Sequence, residues 1–185
     1  MRRVRYGATM REQSLLMTFR AKNGRLIHIR PLQQDDAAFL VSIFEHMGSD
    51  SRYHRFHQSV DNLNLQRVQH EAEQMVELVP DNSFGLIAFE GELPVGAARY
   101  VLLEEKQAEM AVSIRDDYQN SGIGTKLITL LAEAARKHGL YLLVANVQAE
   151  NIPALRIMDK LPFPQSQHVD GSVIEIEFQL QDAAE

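Results

Sequence analysis

The 185-residue chain contains no cysteine. That absence removes a disulfide framework, a thiolate metal site and a cysteine nucleophile together. It also fits a reducing compartment, so a cytoplasmic location is expected. No apolar stretch is long enough to span a membrane, and none is expected as a partner. The start, Met1-Arg2-Arg3-Val4-Arg5-Tyr6, lacks the apolar segment of a secretory signal. Internal repeats and low-complexity tracts are absent as well. What is present is ordinary for a soluble globular domain with a sizeable core: 45% hydrophobic and 24% charged residues.

Charge is divided unevenly. Residues 1–30 hold eight Lys+Arg against one acid, Glu12, a balance of +7. Of the 19 basic and 25 acidic residues, 11 and 24 therefore lie in residues 31–185, a balance of −13. Residues 1–14 read as a flexible basic arm and residues 15–185 as one domain. The arm could touch nucleic acid, or it could be a solvated tail. The acidic body disfavours nucleic acid as a main partner and favours a cationic substrate.

Hydrophobic periodicity orders the rest. Strands over residues 15–20 and 25–30 flank Ala21-Lys22-Asn23-Gly24, an Asn-Gly hairpin signal. Pro31 ends the second strand, and Asp35 or Asp36 is the expected N-cap of a helix. Its stripe of Phe39, Leu40, Ile43, Phe44 and Met47 is expected in the core. Two more helices are expected over 50–57 and 63–79, then strands over 84–89 and 95–103. Residues 141–147 are nearly all apolar, as in a central strand. A helix over 151–161 and an alternating strand over 172–180 follow.

The most informative segment is Gln119-Asn120-Ser121-Gly122-Ile123-Gly124. It follows the alternating run Glu109-Met110-Ala111-Val112-Ser113-Ile114 and opens a helix over 123–137. A strand, a glycine turn and a helix N-terminus make an anion cradle, because first-turn amides lack helical acceptors. The helix dipole adds about half a positive charge there, which suits a pyrophosphate.

These residues resemble the Gln/Arg-x-x-Gly-x-Gly/Ala motif of the GNAT acetyltransferase superfamily. The beginning of the helix at residues 151–158, Lys160-Leu161-Pro162-Phe163, and Ile29-Arg30-Pro31-Leu32 before Asp35-Asp36 are similar to its other motifs. The resemblance covers about residues 15–180. It implies an α/β (α+β) GNAT fold: a mixed, mostly antiparallel sheet, splayed at the acyl-CoA site and flanked by helices. It further implies transfer of an acetyl group from acetyl-CoA to an amine, with no metal. The cofactor-binding residues it implies are Ile114, Gln119, Asn120, Ser121, Gly122, Ile123, Gly124, Thr125 and Asn151. Ser51-Arg52-Tyr53-His54-Arg55-Phe56, Ala108-Glu109-Met110-Ala111-Val112 and Arg115-Asp116-Asp117-Tyr118-Gln119 are similar to bacterial GNAT domains that acylate protein lysines. In that branch the glutamate at the Glu109 position is the general base.

This chain departs from the family pattern at several positions. The phosphate loop has no basic residue, so backbone amides must do most of the binding, helped by Arg115 or Lys126. Met158 stands where many members carry a tyrosine acid, so no general acid is named. Pro162 replaces a glycine.

Glu109 could equally be a surface carboxylate at a strand start; the resemblance favours the base. Alternation puts Glu109, Ala111 and Ser113 on one face and Met110, Val112 and Ile114 on the other. Asn151 could cap its helix, contact pantetheine, or both. His46, His54 and His57 lack further ligands for zinc. Ser113 has no histidine–carboxylate pair and is rejected as a nucleophile. The acceptor is expected to be a protein lysine. Alternatives are a small amine, a non-catalytic acyl-CoA sensor, or a nucleic-acid module using the arm.

Overall fold

The computed structural model describes residues 17–56, 65–77 and 82–181. The expected basic arm and His57 lie outside the described residues, as do the side chains of His54 and Arg55. The first half contains β1 (Met17–Arg20), β2 (Leu26–Pro31), α1 (Ala37–Glu45), α2 (Ser49–Phe56) and α3 (Leu65–Glu77). A meander follows: β3 (Ser83–Glu90), β4 (Leu93–Glu104) and β5 (Gln107–Ile114). A single 3-10 turn, Asp116–Tyr118, leads into α4 (Ile123–Lys137). Then come β6 (Leu142–Gln148), α5 (Ile152–Met158), β7 (Gln165–Asp170) and β8 (Val173–Gln179). The mixed α/β architecture and the largely antiparallel sheet expected from the sequence are present.

Among the described residues eight strands form one sheet, in the order β1-β2-β3-β4-β5-β6-β8-β7. Every neighbouring pair is antiparallel except β5 with β6. Helix α4 packs on β3, β4 and β5, and α1 lies on β4 and β5 with α3 against it. The larger core joins Leu127, Leu131 and Ile123 of α4 to Met110, Leu143, Ile176 and Phe178 of the sheet. A smaller core under α1 gathers Leu32, Ile43, Met47, Val76, Ile87 and Phe89. Alternation along β5 holds: Met110, Val112 and Ile114 belong to the α4 side. Ala111 and Ser113 face a cavity bordered by Leu40, Ile43 and Phe44 of α1.

Three details differ from the sequence expectations. Asp36 sits at the N-cap of α1 but makes no side-chain cap bond. Its buried carboxylate instead takes two bonds from Arg30 and one from the Gln33 N–H. Phe39 is 36% exposed, at the edge of the core, with its ring edge-on to Phe89. Strand β7 went unpredicted because all six of its residues are exposed. A sheet-edge strand without an apolar face leaves no alternation to read.

Candidate functional site

Strand β5 pairs with β4 along its length, to Gly96↔Ile114. Its pairing with β6 stops early, running only from Gln107↔Leu142 to Glu109↔Val144. Beyond Glu109 the two strands part, while β6 stays paired with β8 from Leu142 to Gln148. The Arg115 N–H donates to the Val95 carbonyl, on the β4 side. Because N–H directions alternate along a strand, the Ile114 and Val112 N–H groups point the other way, into the gap. The gap is therefore a slot with main-chain donors along one wall.

The first turn of α4 stands at the mouth of this slot. A Cβ on Gly124 would meet Ile157 Cδ1 at 3.2 Å and Ile114 Cγ1 at 3.6 Å. A side chain there would press on Ile157, so α4 packs closely between β5 and α5 at this glycine. Gly122 is the N-cap, with φ 89°, a left-handed conformation that L side chains rarely adopt. Asn120 also has positive φ, 58°. The first α-helical bond from this end is Lys126 N–H to Gly122 O, at 3.1 Å. The amides of Ile123, Gly124 and Thr125 precede it and have no helical acceptor.

Two of the loop side chains, Gln119 and Ser121, are committed to holding the loop. Buried Ser121 donates its Oγ–H to the Tyr118 carbonyl. Gln119 Nε2 donates to Asp116 Oδ1 (2.9 Å) and Ser51 Oγ (3.0 Å). Asp116 also accepts from Ser51 Oγ (2.7 Å) and the Gly48 N–H (2.9 Å), which ties the α1–α2 junction to the loop. What remains for an anion is chiefly main chain, with the exposed Asn120 beside it. Arg115 is buried and donates from Nε and Nη2 to Asp117, both at 3.0 Å. The Asp117 carboxyl is held below its usual range, chiefly by that bond. Arg115 is thus occupied. Asn151 Oδ1 accepts from the Ala154 N–H, the N-cap role, at 3.2 Å. Met158 is buried in the core.

Glu109 sits where the strands part, and it is exposed. Its Oε1 accepts from Asn146 Nδ2 at 3.0 Å, a contact across the slot that sequence reading missed. Asn146 interrupts an apolar strand, and that polar break was the available signal. The register puts Glu177 and Glu175, opposite Val144 and Asn146, on the same sheet face. Arg99 lies one diagonal away on β4, since Val101 pairs with Glu109 and Arg99 with Ala111. Burial pushes its guanidinium pKa down, and the Glu109 charge opposes that shift. Its buried Nη1 has no hydrogen-bond partner, and Arg99 borders the same small cavity as Ala111 and Ser113, about 50 Å³ in volume. Among the described residues no group of acids and histidines is arranged to hold a metal ion. No helix among them is long and apolar enough to cross a membrane.

Comparison with known proteins agrees with this geometry. The chain is 31% identical over 144 residues to acetyltransferase Pat of Mycolicibacterium smegmatis, covering 76% of this chain and 42% of that one. It spans less than two thirds of the length of the curated relatives it matches. The GNAT domain of S. lividans PAT superposes with a TM-score of 0.79 at 22% identity, over 91% of this chain and 98% of that domain. A putative acetyltransferase, yncA of Salmonella typhimurium, was solved with its cofactor acetyl-CoA. It superposes with a TM-score of 0.65 at 20% identity, over 86% of this chain and 96% of that one. The model of the acetyltransferase (GNAT) family matches residues 41–163, well over half of the sequence. The chain belongs to the GNAT acetyltransferase family.

Proposed function

We propose that this protein transfers an acetyl group from acetyl-CoA to a primary amine, and that the amine is a protein lysine. The observation that carries the reading is the parting of β5 from β6 just past Glu109, with a free-amide helix start at the opening. The site fits the cofactor: Ile123, Gly124 and Thr125 amides, with the Gln119–Gly122 main chain, would hold the diphosphate. The slot between β5 and β6, near Ile114 and Asn151, would take the pantetheine arm. Bound acetyl-CoA supplies an acyl group activated as a thioester. A lysine ammonium has a pKa of about 10.4, so the nucleophile must lose a proton first. Glu109 takes that proton, directly or through one water, while Asn146 fixes its carboxylate. The lone pair of the amine then forms the amide bond. The carbon–sulfur bond breaks, its electrons leave on the CoA sulfur, and that sulfur takes the proton which the nitrogen sheds on becoming an amide, giving the free thiol. The Ile114 N–H donates to the carbonyl oxygen as negative charge develops there.

Two features support lysine on a protein. The sequence is similar to bacterial GNAT domains that acylate protein lysines, and Glu109, Glu175 and Glu177 share one sheet face. The test is release of free CoA thiol with lysine peptides and small amines as acceptors. Glu109→Gln is expected to lower kcat by at least about a hundredfold near neutral pH, with acetyl-CoA affinity kept. Wild-type rates in that variant across pH would remove Glu109 as the base. Turnover confined to small amines would assign a small-molecule acceptor. Binding without turnover on any amine would leave an acyl-CoA sensor.

A further inference from the structure

The phosphate loop lacks a cation of its own, and Arg115 is occupied by Asp117. The β1–β2 hairpin, far away in sequence, is folded onto this loop. The Lys22 N–H donates to the Ser121 carbonyl at 2.9 Å. Arg25 lies over the Tyr118 ring at 4.4 Å and reaches Glu90 at 3.5 Å. Tyr118 donates its hydroxyl to the same Glu90 carboxylate. The turn is closed on itself by Ala21 N–H to Arg25 O and Gly24 N–H to Ala21 O. Its position is therefore fixed at several points.

That docking carries the Lys22 side chain across Gly122. Cγ and Cε lie 3.7 Å, and Cδ 3.9 Å, from where a Gly122 Cβ would stand. The ammonium is one bond beyond Cε, and Lys22 is exposed, so it can swing onto a ligand above the loop. We infer that Lys22 is the cation of the diphosphate site, delivered by the N-terminal hairpin in place of the basic residue that the loop does not have. The inference rests on the proposed acetyl-CoA site. Chemically, an ammonium adds charge-assisted bonds to an anion already held by main-chain N–H groups.

Calorimetry with free CoA tests this apart from turnover. Lys22→Gln keeps the backbone bond to Ser121, so the hairpin stays docked and the melting temperature should not move. CoA affinity is expected to fall roughly fivefold, the scale of a solvent-exposed charge pair, and Lys22→Arg to restore most of it. Dephospho-CoA, which keeps the diphosphate, should show the same loss, whereas pantetheine should show none. A loss seen with CoA but not with dephospho-CoA would move Lys22 to the 3′-phosphate and overturn the assignment. Equal CoA affinity in Lys22→Gln and wild type would reduce Lys22 to a solvated turn residue. If wild-type protein failed to bind CoA at all, the acetyl-CoA reading itself would fall, not this refinement.

Discussion

Asp36 shows how a single side chain can leave its local role for a tertiary one. Its sequence position is an N-cap, yet its carboxylate is 2% exposed and fully used by Arg30 and the Gln33 N–H. The bidentate bond holds the Arg30 guanidinium pKa above its ordinary value. Arg30 also stands over the Phe89 ring, 5.0 Å from its centroid. The pair thus pins the start of α1 to the end of β2. Asp36→Ala would strand the partly buried guanidinium and an unpaired amide. The expected cost is roughly 3 kcal/mol, the low end for a broken buried pair, because Arg30 keeps 24% of its side-chain exposure. Urea unfolding measures it; a loss under about 0.5 kcal/mol would mean that solvent replaces the pair.

At the scale of the element, α4 is asymmetric. Its N-terminal turn is left open, whereas its C-terminal end is closed by packing. The C-cap, His138, meets the Tyr100 hydroxyl through Nδ1 at 2.6 Å and sits edge-on to Phe84. Burial lowers its pKa below the ordinary 6.5. The unfolded chain therefore takes up the proton first as pH falls. Stability from this site is complete above about pH 6.5 and declines as pH drops from there toward the folded value. Denaturation midpoints of wild type and His138→Gln, followed from pH 8 to pH 5, test the sign. Wild type should lose more than the variant on the acid side; parallel curves would show that His138 titrates freely in the fold.

At the scale of the whole molecule, charge bears on the acceptor. The chain carries a net −6, and Glu109, Glu175 and Glu177 line the sheet face beyond the slot. A cationic peptide acceptor should feel that field. Its kcat/KM is expected to fall several-fold between about 50 and 300 mM salt, as screening shortens the Debye length to under 10 Å. A neutral amine of similar size should show little change. Equal salt dependence for both would mean that the acidic face does not steer the acceptor.

The element order apart from β7, the hairpin at Asn23-Gly24 and the strand–turn–helix at Gln119–Gly124 were legible in the sequence, because each is set by local rules. Alternation, helical spacing and glycine's access to positive φ act over a few residues and fix the elements, whereas the family rests on the resemblance of the motifs and on the family model that matches residues 41–163. The sequence alone also fixed the two faces of β5, hence which side of it Glu109 occupies. Tertiary structure alone decided the rest. Asn146 reaches Glu109 from a strand 37 positions away. Asp36 turns to Arg30, β7 joins as a wholly exposed edge, and Lys22 is laid over Gly122. Apart from the polar break at Asn146, none of these leaves a local periodic trace. They arise where separate segments, each satisfying its own rules, are brought side by side by burial of the common core.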